Sequence, residues 1–477
     1  MSRFRFLVSL PVVVVTLLAV VQTARADEEK QRRIEAGREQ FTRVREYAKM
    51  QVDDSHFTER FFNARSCAEC HKLGGVGGAG PNESNVDLIH LPPELVGGGS
   101  PETLKILRRE FWDRATPKPI LPPGTRPTVY GFFDTPERFI PVGNDSARML
   151  HRYSTMPGYD EWRLKLLQEL NPQRFAPREP NGGDVEPVRS ALWGPPVSSQ
   201  RNGLVRPSST IEERNTPPLF GLGRIAKIPQ EDIEAIAAEQ PPMFRGRSPR
   251  LASGGRGRFG WKSQSATLLA FNEGACGAEL GLRTANVTPS ERLTSQGRKA
   301  DSSETTYARA PAVDMTGDDV EAMTVYIEAL PQPRKIVRPG HESEFATGKY
   351  LFQKTGCAVC HVPDVGSVTG LYSDLLLHEV GSSGSISYYN TNGPTNPDFD
   401  IVRATEFRTP PLWGVADSGP YLHDGSAATL DIAIRRHLGQ ALQSRDAYVN
   451  QISKAERAAL LEFLGSLRAP TDTDLQP

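Results

Sequence analysis

Two pentads of the form Cys-x-x-Cys-His, Cys67-Ala68-Glu69-Cys70-His71 and Cys357-Ala358-Val359-Cys360-His361, hold four of the chain's five cysteines and constrain it more than any other feature. The spacing puts two thiols and an imidazole on one helical turn. That is what covalent haem attachment needs, because two thiols add to the vinyl groups while the imidazole that follows meets the iron. A zinc site or two local disulfides are the competing readings. Zinc gathers four ligands, usually as pairs separated by tens of residues, and these pentads stand much farther apart. His71 and His361 are thus expected as proximal ligands of two covalently bound c-type haems, with each sixth position left to a residue distant in sequence.

The chain begins with Arg3 and Arg5, an apolar run from Phe6 to Val21, and Ala24-Arg25-Ala26 just before Asp27-Glu28-Glu29. This is the form of a secretory signal peptide over residues 1–26, with an apolar run shorter than the ~20 residues a membrane span requires. An uncleaved anchor is the alternative. A periplasmic location is expected, with no membrane span once the peptide is removed. The 56 basic and 57 acidic residues create no net field that would attract nucleic acid or lipid. A redox partner protein or a small-molecule oxidant is the expected partner.

Helix-favouring segments, Glu28 to Gln51 and Glu342 to Gly356, precede the two pentads. Lys118 to Thr128 and Asn171 to Pro207 are rich in Pro and Gly and read as loops or insertions. Thr316 to Leu330 has a helical apolar period, and Pro331 to Pro339 follows as a plausible domain boundary. An internal repeat supports the division. Arg214-Asn215-Thr216-Pro217-Pro218-Leu219-Phe220-Gly221 recurs as Arg408-Thr409-Pro410-Pro411-Leu412-Trp413-Gly414, and Ser265-Ala266-Thr267-Leu268 as Ala427-Ala428-Thr429-Leu430. The expectation is a mainly α protein of two cytochrome c-like domains with long loops and insertions: residues 27–335 and 336–477.

Glu406 to Gly414, Pro420-Tyr421-Leu422-His423-Asp424-Gly425, Thr429-Leu430 and His437 together resemble the di-haem oxidoreductase family of peroxidase-like c-type cytochromes. Gly257 to Lys262, Glu279-Leu280-Gly281 and Tyr372 to His378 fit the same family, and the resemblance runs with gaps from Phe57 to Leu467. The family is similar to bacterial di-haem cytochrome c peroxidases and to the di-haem enzyme that matures methylamine dehydrogenase.

The resemblance implies further roles. The sixth ligand of the second iron lies fourteen positions beyond the His of the Tyr-x-His-x-Gly motif, which here is His437, where peroxidases usually carry Met. Two histidines would lower the potential relative to a thioether, which favours reduced iron. His378 and His423 compete for this role. Repeat alignment puts Ala275 where His437 stands, so the first iron would be open; His56, His90 or Cys276 would otherwise cap it, and Cys276 reads equally as a buried inert thiol. Trp261 corresponds to the residue between the haems and Glu279 to the carboxylate over the open iron, while Phe271 replaces a Gln of the relatives. Core packing and a solvated helix face are the ordinary alternatives for Trp261 and Glu279. Asn215, with the carbonyls of Ser418 and Pro420, matches a calcium site between the domains; a simple turn before Thr216-Pro217 would also explain the Asn. The function implied is a peroxidase-like oxidoreductase with electron transfer between haems. The alternatives are a non-catalytic di-haem electron carrier, favoured if His56 or His90 binds the first iron, or an oxidase of another protein's side chains.

Overall fold

A computed structural model describes residues 10–45, 64–90, 214–280, 282, 284, 314–381, 399–403 and 405–471, together with strands at 133–135, 138–139, 147–151, 200–201, 204–205 and 210–213. His56 and the loop at 118–128 lie outside these residues, as does all but two short strands of 171–207. The architecture is largely helical. Short strands join at a few places, the longest being β1 (Val86–His90) between β2 (Ala147–His151) and β3 (Thr210–Arg214), all antiparallel. His90 ends β1, its backbone in register with Ala147 and Thr210. Among the described residues no helix is long and apolar enough to cross a membrane.

Two helix pairs carry the plan. Helix α1 (Leu10–Thr42) leads towards the first pentad, which forms α2 (Cys67–Cys70), and α6 (Gly317–Ala329) crosses α1. Helix α7 (Glu342–Lys354) leads to the second pentad and is crossed by α9 (Lys454–Gly465). The two crossings are built alike. A Cβ on Gly37 would come within 2.0 Å of the Ala322 carbonyl oxygen, and one on Gly348 within 2.0 Å of that of Ala459. Only hydrogen fits at either point. One turn on, Phe41 meets Tyr326 with ring centroids 5.4 Å apart, and Phe352 meets Phe463 at 5.3 Å. Capping boxes start both crossing helices, Thr316 with Asp319 and Ser453 with Glu456.

The recurring Thr-Pro-Pro segments also fold alike. Each ends in a left-handed glycine, Gly221 (φ 72°) or Gly414 (φ 73°), which opens a short helical turn, α3 (Leu222–Ala226) or Val415–Asp417. The remaining helices are α4 (Gln230–Glu239), α5 (Leu268–Leu280) and α8 (Leu430–Arg435). Thr267 and Thr429 cap α5 and α8, their hydroxyls accepting the N–H of Ala270 and Ile432, each at 3.2 Å.

The halves meet along a seam with approximate twofold character. Asn215 N–H donates to the His423 carbonyl (2.7 Å), and Arg408 N–H donates to the Trp261 carbonyl (2.8 Å). Asn215 and Arg408 hold equivalent places in the repeat, as do His423 and Trp261. The larger core cluster crosses this seam, since Val365, Leu371, Leu376 and Trp413 pack with Leu219, Phe259 and Met323. Pro331 to Pro339 is not a free tether either, because Arg334–Lys335 pairs with Leu467–Arg468.

Candidate functional site

At the second pentad, Gly356 (φ 84°) turns the chain out of α7 into the Cys357–Val359 turn, and His361 N–H donates to the Cys357 carbonyl (3.0 Å). His361 Nδ1 lies 3.0 Å from the Tyr372 carbonyl. On α8's C-terminal side, His437 Nδ1 lies 2.8 Å from the Ala433 carbonyl. With Nδ1 tied to the backbone in both rings, Nε2 is left for a metal, which is how protein-bound imidazole ligands are usually oriented. Both rings line one cavity of about 660 Å³, together with Cys357, Cys360, Leu412 and Tyr421. Burial, then the nearby His437, pushes His361 down to about 4, and burial likewise lowers His437. Both imidazoles are therefore neutral donors near neutral pH. Two half-buried thiols, two neutral imidazoles and an apolar chamber fit a haem, so these residues are chemically suited to hold one.

At the first pentad, Ser66 caps the turn by accepting the Glu69 N–H (3.3 Å), and His71 Nδ1 lies 3.0 Å from the Gly78 carbonyl. Burial pushes the Cys67 thiol up to about 11 and Cys70 up to about 12, and the negative Glu279 adds to both shifts. Burial lowers His71, a shift that Glu279 opposes. Glu279, an exposed residue near the end of α5, thus stands within electrostatic reach of all three attachment residues. The pentad's own donors, two half-buried thiols and one imidazole, match those of the second pentad. Cys276, by contrast, is 1% exposed and packs in the core, its Sγ 3.7 Å from Met315 Sδ.

Trp261 lines the same cavity at the seam and donates its Nε1–H to the Asn215 carbonyl (3.0 Å). His423 stacks on Phe407 with centroids 3.9 Å apart, and the Lys262 ammonium lies 3.4 Å from the centre of that ring. His378 is engaged elsewhere, its Nε2 2.8 Å from Asp374 Oδ2 and its Nδ1 3.7 Å from Cys360 Sγ. Burial opposes its charge, but the Asp374 carboxylate and the Cys360 contact more than offset this and raise it to about 10. Cys360, Asp374 and His378 could hold a metal ion together, yet one of them is the pentad's own thiol.

The structure adds residues that sequence reading missed. Gln240 Nε2–H donates to Asp374 Oδ2 (2.7 Å) and to the Val359 carbonyl (2.9 Å), tying the first half's chain to the second pentad. Asp374 and His378, four apart in the Tyr372 to His378 motif, carried a sequence signal; Gln240 carried none. Asn85, fully buried beside Asn215, is the other addition. Asn85 Oδ1 and Asn215 Oδ1 are buried acceptors that receive no hydrogen bond from the described residues, while Asn215 Nδ2–H donates to the Pro420 carbonyl (2.7 Å). Buried oxygens with no donor at a seam suit a hard cation.

The family model described as "Di-haem oxidoreductase, putative peroxidase" matches residues 196–467, more than half of the chain. The chain belongs to this di-haem oxidoreductase family, and haem is its cofactor class. It is 28% identical over 118 residues to the methylamine utilization protein MauG of Methylophilus methylotrophus, covering 24% of this chain and 32% of that protein. It is 27% identical over 174 residues to hydrazine synthase subunit gamma of Kuenenia stuttgartiensis, covering 31% of this chain and 48% of that protein. The matches thus span less than half of either relative. Among solved structures, Kuenenia stuttgartiensis hydrazine synthase pressurized with 20 bar xenon aligns at 20% identity and TM-score 0.32, covering 54% of this chain and 73% of that one. A MauG-like protein associated with microbial copper homeostasis aligns at 16% identity and TM-score 0.27, covering 53% and 92%.

Proposed function

We propose that this chain is a periplasmic c-type di-haem oxidoreductase with peroxidase-like activity, residues 1–26 being removed on export. Residues 27–335 and 336–477 would each form one cytochrome c-like unit. The His71 site takes the oxidant, and the site between His361 and His437 carries electrons. The observation that supports this most is the register of α5 against α8: counted from the capping threonines Thr267 and Thr429, Ala275 falls where His437 stands. Among the described residues, the second site brings together two imidazoles and the first one.

Haem, held through Cys67 and Cys70 and through Cys357 and Cys360, supplies the redox chemistry when bound. The chain's own groups do the rest. The Gly78 and Tyr372 carbonyls orient the His71 and His361 rings. Glu279 takes a proton from one oxygen of a peroxide and returns it to the oxygen that leaves as water. Trp261, held at Nε1 and at its carbonyl, bridges the seam between the sites. Asn215, with the carbonyls of Ser418 and Pro420, would hold a calcium ion there, and the orphaned Oδ1 atoms of Asn215 and Asn85 support this.

The test is an EPR and optical spectrum of the oxidised protein, produced in cells equipped for cytochrome c maturation. One high-spin ferric haem that shifts with cyanide or peroxide, beside one low-spin haem, is expected, with porphyrin still on the chain after acid extraction. Two purely low-spin haems would point to an electron carrier instead. Glu279→Gln should slow peroxide decay by about a hundredfold without loss of haem, and unchanged decay would remove Glu279 from the chemistry.

A further inference from the structure

We infer that Arg408 binds a carboxylate of the haem in the cavity that His361 and His437 line, and so raises the potential of that iron. The inference rests on the haem reading of this cavity and names the anion that the cavity is built to receive.

Arg408 ends the short strand Glu406–Arg408, which pairs with Leu377–Glu379. It is only 9% exposed, and it lines the cavity together with both imidazoles. Two carbonyls of the first half fix it: its backbone N–H donates to Trp261 (2.8 Å) and its Nε–H to Gly260 (2.9 Å). The second bond uses one of the five guanidinium N–H groups, and neither neutralises the charge. Three more arginines line the cavity, and all of them are engaged elsewhere. Arg435 and Arg445 have carboxylates at 2.7 Å, those of Asp431 and Asp446, and the half-buried Arg436 donates to the Ser426 carbonyl.

The carboxylates nearest to Arg408 are taken as well. Glu406 accepts from Arg247 at 2.7 and 2.6 Å. Asp374 accepts from Gln240 (2.7 Å), stands 2.8 Å from His378 Nε2, and reaches Arg408 only through its field. Burial outweighs that field and pulls Arg408 down to about 10, so it is still a cation near neutral pH. Among the described residues no carboxylate forms an ion pair with it. A guanidinium buried in an apolar chamber without a counter-ion is costly, and an anion that joins it there removes the cost. Haem carries two carboxylates, and the planar guanidinium pairs with a carboxylate through two parallel hydrogen bonds. The cofactor class of the family thus brings the anion that the chain lacks. Negative charge near iron favours the oxidised state, so a fixed cation on that carboxylate favours the reduced one. Because Gly260 and Trp261 hold the arginine, the first half sets a charge at the second site.

Redox titration of the full-length holoprotein, followed on its low-spin haem, tests this without reference to turnover. At a fixed applied potential Arg408→Gln should lower the reduced-to-oxidised ratio of that haem about tenfold, a fall of about 59 mV. The other haem should keep its potential, and the propionate bending band of the resonance Raman spectrum should shift. Arg408→Lys keeps the charge and should stay close to wild type. A role limited to the Gly260 hydrogen bond predicts no such split, since Gln and Lys can both donate there. If Arg408→Gln does not retain the second haem, Arg408→Lys decides: retention of haem and potential supports the inference, and loss of either overturns it. Exchanging chloride for phosphate should leave the wild-type potential unchanged, and a potential that follows the added anion assigns Arg408 to a free ion and overturns the inference. Equal potentials in wild type and Arg408→Gln, with haem on both pentads, overturn it too and leave the haem reading intact. No haem on Cys357 and Cys360 in the wild type overturns the reading itself.

Discussion

Gly37 and Gly348 lie under Ala322 and Ala459, Phe41 and Phe352 approach His71 and His361 at 6.2 and 6.3 Å, and Gly78 and Tyr372 each offer a carbonyl to the proximal ring. On the proximal side the two halves are nearly interchangeable. Their other sides are not: α8 and the chain just after it carry Ala433 and His437, where α5 carries Phe271 and Ala275. The contrast teaches that attachment and iron access are separable. Under the proposed function, the helix crossing and the pentad would hold the group, and the residues at the positions of Ala275 and His437 would decide what else can reach the metal.

Exchanging the distal residues should have the largest effect. Ala275→His is expected to convert the first iron from high to low spin and abolish its response to cyanide, while His437→Ala should make the second iron high spin. EPR of the oxidised variants reads both, and a spectrum unchanged by His437→Ala would remove that residue as a ligand.

The proximal equivalence can be tested through packing. Gly37→Ala and Gly348→Ala each force a methyl group against a helix carbonyl and should cost about 1–3 kcal/mol. Calorimetry should then show Tm lower by about 2–4 °C for each kcal/mol. Similar losses would support equal crossings, and a loss confined to one half would break the equivalence.

A smaller effect separates the halves by pH. Glu406, in the second half, would be raised by burial alone, but the Arg247 guanidinium donates to it at 2.7 and 2.6 Å and holds its carboxyl below the usual range. A depressed folded value stabilises above the unfolded carboxylate value of 4.5 and loses that contribution as pH falls through the lower folded value. Glu406→Gln should therefore cost about 1 kcal/mol at neutral pH, and the gap from wild type should close in acid. A gap that is constant with pH would show that the ion pair is not its source.

Much of this plan was legible in the chain before any coordinates. The pentads carry their chemistry in five consecutive residues, and the Thr-Pro-Pro and Thr-Leu repeats mark a turn and a helix cap, which are local structures set by local residues. Counting from the capping threonine along each copy of the repeat likewise needs no tertiary information. That is why Ala275 and His437 could be placed opposite each other in register.

Gln240, Asn85 and the Asn215–His423 and Arg408–Trp261 exchanges were not legible. Gln240 is polar like many surface residues, and only folding buries it against Asp374 and the Val359 carbonyl. Asn85 and Asn215 become neighbours through the turn at Gly425, which belongs to the other half. The sequence by itself determined the two Cys-x-x-Cys-His pentads, the repeat and the Ala275 that stands in the register of His437, since each is written in residues a few positions apart. The tertiary structure alone decided which buried oxygens lack a donor among the described residues, how Gln240 ties to the second pentad, and where the cavity runs. Those depend on side chains hundreds of positions apart meeting in low dielectric, and no local rule records such meetings.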